Sequence, residues 1–243
     1  MADRQNVPEE ALFEVTDWVS RHSAPFRELM TYYRCAMMEL ETKFKVLNEE
    51  LSLVYDRNPI ESVKSRLKTP ESIMEKLERK GLPKTLESIE NNIEDVAGVR
   101  VICSFPADIY KLADSLMSQD DLRVVKIKDY IKNPKDNGYR SLHLIVDVPI
   151  FLQDAKKTVK AEIQFRTIGM DWCASLEHKI IYKQDVKRTD ELTAALLHCA
   201  QSSYYLDEEM ENIYFMATGK GEEAKDAPFE KKDFASGGDV SGA

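Results

Sequence analysis

Two clusters of cations and two isolated carboxylates are the side chains best suited to chemistry in this sequence. Residues 64–84 carry seven Lys or Arg against three Glu, and residues 123–140 carry six against two Asp. The chain as a whole has 43 acidic and 34 basic residues, a net charge of −9. One basic window alone reads first as a solvated face. Two of them in an acidic chain point to a focused anion pocket rather than a nucleic-acid groove, which wants a basic protein. In SRLKTPESIMEKLERKG, Arg66 and Lys68 are two apart on an expected strand and leave the same face. Thr69-Pro70 is an N-cap followed by proline at the first helical position. Ser72, Lys76 and Arg79 then share one face of the helix that follows. Strand end, helix N-terminus and cations converge as a polyphosphate cradle would. No GxxxxGK[ST] occurs, which excludes the P-loop class.

The second window, KIKDYIKNPKDNGYRSLHL, contains the turn dipeptides Asn133-Pro134 and Asn137-Gly138 and leads into a strand expected over 139–148. Tyr139, Ser141 and His143 alternate onto one face of that strand. An aromatic ring beside Lys135, Asn137 and a histidine suits a base-stacking, phosphate-contacting site. Taken alone, His143 fits a satisfied sheet histidine as well.

Asp95 lies before the buried strand GVRVICSF, and Glu162 lies on AEIQFR, where Gln164 shares its face and Ile163 and Phe165 point the other way. A carboxylate on an otherwise apolar strand is costly to bury unless paired or metal-bound. With a polyphosphate nearby, two carboxylates fit Mg²⁺, a hard cation that takes few protein oxygens. Ordinary salt bridges to the neighbouring cations fit them too.

The elements that must position these groups follow from periodicity. A short helix is expected over 9–21. Phe26, Met30, Tyr33, Met37, Leu40, Phe44, Leu47, Leu51 and Val54 form an apolar seam over four heptads that stops at Pro59. That seam packs on its own domain's core or, in part, on another subunit. From Ile60 to about Thr167 short strands alternate with helices: strands near 60–68, 98–105, 122–128, 139–148 and 158–166, helices from Pro70 to Lys80 and over 106–118. This is an α/β or α+β mixed sheet layered with helices. Helical periodicity returns over 168–183 and 190–216. The tail from Ala217 holds five of the nine glycines and few large apolar residues, and is expected to be disordered. The organisation expected is therefore N-terminal helices (1–56), a sheet domain (57–188), a C-terminal helix (189–216) and a tail (217–243). Cys35, Cys103, Cys173 and Cys199 form no CxxC pair. Without an apolar leader or a membrane-length apolar run, a cytoplasmic location is expected.

RLKTPESIMEKLERKG, EDVAGVRVICSF, KDYIKNPKDNGYRSLHL and the stretch from AEIQFRT to SLEHKIIYK resemble, in this order, the synthetase domain of the Rel/Spo alarmone enzymes, over roughly residues 25–215. The long enzymes of that family add a hydrolase domain with a His-Asp metal motif, and here none of the four histidines precedes an aspartate. The chain thus resembles a small alarmone synthetase. NPIE, VKAEIQ and SLEHKIIYK look closer to the RelP type than to the RelQ type. The resemblance implies a nucleotidyltransferase-like mixed sheet flanked by helices, with Mg²⁺ as cofactor. It implies transfer of the β,γ-pyrophosphate of ATP to the 3′-hydroxyl of GDP or GTP, with release of AMP. Arg66 and Arg100 match the arginines around the adenine, and Lys68, Ser72, Lys76 and Arg79 match the triphosphate cradle. Asp95 and Glu162 match the metal carboxylates, Glu162 also the group that takes the 3′-hydroxyl proton. Tyr139 matches the ring stacked on guanine, and Lys128, Lys135, Asn137, His143 and Gln164 match the acceptor side.

Two alternatives accompany this: the same fold with an adenosine-nucleotide or tRNA acceptor, and a nucleotide- or RNA-binding regulator without turnover. The family usually has an aromatic pair, commonly Phe-Trp, where this chain has Trp172-Cys173 before Ala174, and alanine where it has Gly169. Altered packing and a slightly weakened helix are expected there. A helix carrying the whole seam should overhang its own sheet and leave Met37, Leu40 or Phe44 in need of a partner. The resemblance also implies a homotetramer, with interfaces on the N-terminal helices and on the helix around Tyr204 to Phe215.

Overall fold

The computed structural model describes residues 23–55, 57–181 and 189–219. The helix expected over 9–21 and nearly all of the tail lie outside the described residues. The seam forms one helix, α1 (Ser23–Tyr55), 33 residues long and about 50 Å at 1.5 Å per residue. Then come β1 (Ile60–Leu67), α2 (Pro70–Arg79), α3 (Leu86–Asn92), β2 (Ala97–Cys103), α4 (Pro106–Met117), β3 (Arg123–Asp129), β4 (Leu142–Phe151), β5 (Lys156–Thr167), α5 (Ile168–Ile181) and α6 (Asp190–Thr218). The strands make one mixed sheet in the order β1-β2-β5-β4-β3. The β2–β5 pair is parallel and the other three are antiparallel.

The two faces of the sheet differ sharply. Leu142, Leu144, Val146 and Val148 of β4, with Ala161, Ile163 and Phe165 of β5, point into one core with α1 and the buried faces of α2, α3 and α4. Burial of such side chains stabilises the layer by roughly 1.5–3 kcal/mol each. The alternate residues, among them His143, Glu162 and Gln164, face the opposite way, where α5 and α6 cover only part of the sheet.

Several expectations are corrected. Phe26, Met30, Tyr33, Met37, Leu40, Phe44 and Leu47 are all buried inside the chain, Leu40 and Phe44 completely, so these residues need no second subunit. Phe44 meets Phe165 edge to face at 5.7 Å between centroids. β4 begins at Leu142, not at Tyr139. Helix α3 was not expected; its cap is Thr85, whose hydroxyl accepts from the Ser88 N–H. Helix α2 starts as the Thr69-Pro70 pair requires, with the Thr69 hydroxyl accepting from the Ser72 N–H.

Candidate active site

Strand register builds the site. One row of partners runs across all five strands: Lys64, Arg100, Gln164, His143 and Lys128. The adjacent row holds Arg66, Gly98, Glu162 and Ile145. Gly98 has no side chain, so space remains between Arg66 and Glu162. That space is a cavity of about 200 Å³ lined by Lys64, Ser65, Arg66, Asp95, Arg100, Glu162 and Gln164, among others.

The first basic window closes one side of it. Lys68 follows β1, and its N–H continues the ladder to the Val96 carbonyl at 2.8 Å. Asp95, in the turn before β2, pairs with Lys68 Nζ at 3.1 Å and Lys76 Nζ at 2.8 Å. Burial opposes ionisation of Asp95, but the hydrogen bond from Lys76 and the charges of both lysines outweigh it and hold the carboxyl below its ordinary range. Ser72 is occupied at the helix cap, and Arg79 is exposed at the helix's far end. Arg66 is exposed at the rim, while Arg100 is half-buried and donates to Asp171 at 3.1 Å.

The second window lies beyond Glu162 and reaches it through His143. Lys135 to Gly138 is a turn closed by the Gly138 N–H on the Lys135 carbonyl at 2.8 Å. Lys135 Nζ lies 4.8 Å from the ring centroids of both Tyr130 and Tyr139. Asn137 Nδ2 donates to Glu177 Oε1 at 2.9 Å. Lys128 pairs with Glu94 at 3.6 Å. Although Tyr139 lies outside β4, its hydroxyl is 3.0 Å from His143 Nε2, and His143 Nδ1 is 3.0 Å from Glu162 Oε1. His143 is therefore more than a core histidine: it joins the ring to the carboxylate. Burial pushes the Glu162 pKa up, but the hydrogen bonds from His143 and Gln164 prevail, and the group stays ionised. The site thus presents two ionised carboxylates beside a concentration of cations, with aromatic rings along one edge.

Arg166, Asp171 and Glu177 also belong to this site, although the sequence did not single them out. The usable signal for Arg166 was parity, since it shares the face of Glu162 and Gln164 on β5. Asp171 accepts from Arg100 and Arg166 and lies 3.6 Å from Lys64.

Helix α6 locks the site's far end. Asp207 accepts from the Thr167 hydroxyl and the Gly169 N–H, and Glu211 accepts from the Ala107 N–H at 2.8 Å, so consecutive turns of α6 cap the starts of α5 and α4. A Cβ at Gly169 would lie 2.7 Å from Ser203 Oγ and 2.8 Å from Asp207 Oδ1. Glycine there permits the close approach of α6, which offsets the helix weakening expected from its propensity. Trp172 is largely exposed, while Cys173 lines a cavity of about 110 Å³ between α5 and α6 that also borders Asn137, Tyr139 and Glu177. Cys173 Sγ lies 3.9 Å from the Cys199 carbonyl, a proximity that the spacing did not suggest; all four cysteines are free. No described helix is long and apolar enough to cross a membrane.

A mixed sheet with cations, ionised carboxylates and stacking rings on one open face defines a platform for a reaction between phosphate-bearing ligands. Residues 65–187 match the model described as the region found in RelA/SpoT proteins. The chain is 50% identical over 181 residues to GTP pyrophosphokinase YwaC of Bacillus subtilis, covering 74% of this chain and 86% of that one. Small alarmone synthetase 2 of Bacillus subtilis superposes with a TM-score of 0.72 at 46% identity, over 79% of this chain and 98% of the other. Small alarmone synthetase 1 of the same organism, bound to its product pppGpp, gives 0.74 at 35% identity over 80% and 98%. The chain belongs to the RelA/SpoT family.

Proposed function

We propose that this chain is a (p)ppGpp synthetase, an ATP:GTP 3′-diphosphotransferase of the small alarmone synthetase kind, and closer to the RelP type. The observation that carries this is the meeting of Asp95 and Glu162, both held ionised, at one cavity beside the first basic window, with Glu162 joined through His143 to Tyr139 of the second. Arg66 and Arg100 flank the adenine of ATP, and Lys68, Ser72, Lys76 and Arg79 take its triphosphate. Lys68 and Lys76 exchange their bonds to Asp95 for phosphate oxygens. On the other side Tyr139 stacks on guanine, while Lys128, Lys135, Asn137, His143 and Gln164 line the acceptor.

The acceptor's 3′-oxygen attacks the β-phosphorus, the bond from that phosphorus to the AMP oxygen breaks, and AMP leaves. Glu162 takes the 3′-hydroxyl proton, with His143 and Gln164 holding its two oxygens. Catalysis of this kind is mostly positioning and charge neutralisation, which suits a site built from Lys and Arg. Asp95 and Glu162 are an oxygen-only, ionised pair, the donor set that Mg²⁺ accepts together with substrate phosphates. They would hold the ion, which neutralises phosphate charge in the transition state.

Incubation with ATP, Mg²⁺ and each of GDP, GTP, ADP and tRNA, followed by product separation, tests this. The expected result is ppGpp or pppGpp plus AMP with the guanine nucleotides alone. Product only with ADP or tRNA, or no turnover with any acceptor, refutes it.

We further propose that the domain organisation is N-terminal helices (1–56), a synthetase domain (57–188), a C-terminal helix (189–216) and a tail, in a cytoplasmic homotetramer. What supports the assembly is the apolar surface of α6, where Tyr205, Leu206, Met210, Ile213 and Met216 are exposed, with Met38 and Val46 on α1. Light scattering should give about four times the 27.9 kDa chain mass. A monomer or a dimer would overturn it.

A further inference from the structure

Arg166 is 5% exposed, and its guanidinium bonds to Gln164, which lines the reaction cavity. Nη1 donates to Asp171 Oδ1 at 3.0 Å; Nη2 donates to the Tyr139 hydroxyl at 2.8 Å and to Gln164 Oε1 at 3.3 Å. Its Cζ lies 5.2 Å from the Tyr139 ring centroid. Among the described residues its Nε has no hydrogen-bond partner. Burying a cation that leaves one N–H unused is costly, and stability alone gives no reason to keep it.

The directions of its hydrogen bonds supply that reason. Arginine can only donate. The Tyr139 oxygen accepts from Arg166 and from Ser141 Oγ at 2.9 Å, so the phenol's own proton goes to His143 Nε2. With Nε2 accepting, the imidazole proton sits on Nδ1 and is donated to Glu162 Oε1. Gln164, its Oε1 turned to Arg166, has only its amide N–H to offer, and gives it to Glu162 Oε2 at 2.7 Å. Arg166, Tyr139, His143, Glu162 and Gln164 thus form a closed ring whose hydrogen-bond directions start at the one member that cannot accept. Both oxygens of Glu162 are held from two sides, and the ring of Tyr139 is pinned at its hydroxyl.

We propose that Arg166 is a positioning residue, which fixes the orientation of Glu162 and Tyr139 and the tautomer of His143 without touching substrate. The proposal rests on the synthetase activity argued above for the roles of Glu162 and Tyr139. Lysine keeps the charge but is a single point and cannot reproduce the fork. Arg166→Met and Arg166→Lys should therefore both lower kcat by about 10–100-fold, the range for loss of a group that orients a ligating residue. KM for GDP should rise and KM for ATP should stay within about twofold, as expected when an orientation is lost without loss of donor binding.

A second readout does not involve catalysis. Nitrogen-15 correlation spectra of the four histidines in the full chain should show His143 as the Nδ1–H tautomer, and this signature should disappear in Arg166→Met. Wild-type kcat in Arg166→Lys would reduce the role to charge and overturn the proposal, as would an Nε2–H tautomer in the native protein. If Arg166→Met does not fold, the lysine variant and the native spectrum still decide. An Nδ1–H histidine in a chain that makes no alarmone would refute the activity while supporting the ring.

Discussion

Gly138→Ala is the perturbation whose consequence follows most directly from the geometry. Gly138 has φ of 79°, and a Cβ there would lie 2.7 Å from the Ala200 Cβ and 3.0 Å from Leu197 Cδ1. The backbone term alone is about 1–2 kcal/mol for a residue with a side chain in the left-handed region. If nothing moved, overpacking would add roughly 1–3 kcal/mol. Residues 132–136 are exposed, so the loop yields before α6 does. The clash is then exchanged for the Asn137–Glu177 bond, which is roughly a 1 kcal/mol matter at a half-buried site. The sum is about 2–3 kcal/mol, or about 4–12 °C in Tm at 2–4 °C per kcal/mol for a chain of this size. Because the displaced loop carries Lys135, Asn137 and Tyr139, KM for GDP should rise at least about 5-fold, equivalent to about 1 kcal/mol, while KM for ATP stays put. Thermal unfolding and steady-state kinetics read these separately. Adding Ala200→Gly removes the 2.7 Å contact but neither the strain nor the 3.0 Å contact with Leu197, so a double-mutant cycle should recover only the share of the steric cost due to Ala200. Native Tm and native KM for GDP in Gly138→Ala would refute the claim that α6 holds this loop in place.

Three further outcomes are expected. Glu162→Gln should lower turnover at least about 10²-fold, the low end for a general base, with the fold retained; wild-type turnover would end the assignment. Tyr139→Ala should weaken GDP and GTP by about 1–3 kcal/mol, the range for base stacking on an aromatic side chain, and equilibrium titration should show ATP scarcely affected; the reverse pattern would mean that the two nucleotide sites are exchanged. Burial raises the pKa of Asp207, and of Glu211, above the ordinary values of 3.8 and 4.5 against the hydrogen bonds each accepts, so the folded state binds these protons more tightly than the unfolded chain and stability rises as pH falls through that window. Asp207→Asn should flatten that rise, whereas Asp95 and Glu162, both depressed, lose their contribution only at pH below the ordinary carboxylate range; a rise of equal slope in Asp207→Asn would refute the role of Asp207.

Much of the sheet could be read directly because period-two alternation survives wherever one face is buried. Glu162 and Gln164 on one side of β5 against Ile163 and Phe165 on the other is the pattern found, and Thr69-Pro70 starts α2 where it should. Helix α3 escaped because seven residues hold no amphipathic repeat, only a cap at Thr85. The inference that Met37, Leu40 and Phe44 need a partner failed for a geometric reason. It assumed a roughly spherical domain, but β5 alone has 12 residues, about 40 Å at 3.3 Å each. Helix α1 lies across four strands of that long sheet, and most of its seam finds cover there.

The same physics decides what was legible in the site. Asp95, Lys68 and Lys76 come from three separate elements, yet each sits at a chain feature with a sequence sign: a turn, a strand end, a capped helix. Their convergence follows from the β1–β2 pairing. Asp171 and Glu177 carry no such sign, and Arg166 carries only its parity with Glu162 and Gln164, because an arginine or a carboxylate there is ordinarily a solvated group or half of a surface pair. What makes them part of the site is tertiary: α5 turns back over the open face, so that Asp171 meets Arg100 and Arg166 from different strands, and α6 presses the turn at Gly138 toward Glu177. Tyr139 shows the limit most clearly. Alternation placed it on a strand with His143, the backbone did not follow, and the side chains met nonetheless, because Arg166 and Ser141 both donate to the phenol oxygen and hold its hydroxyl against the imidazole.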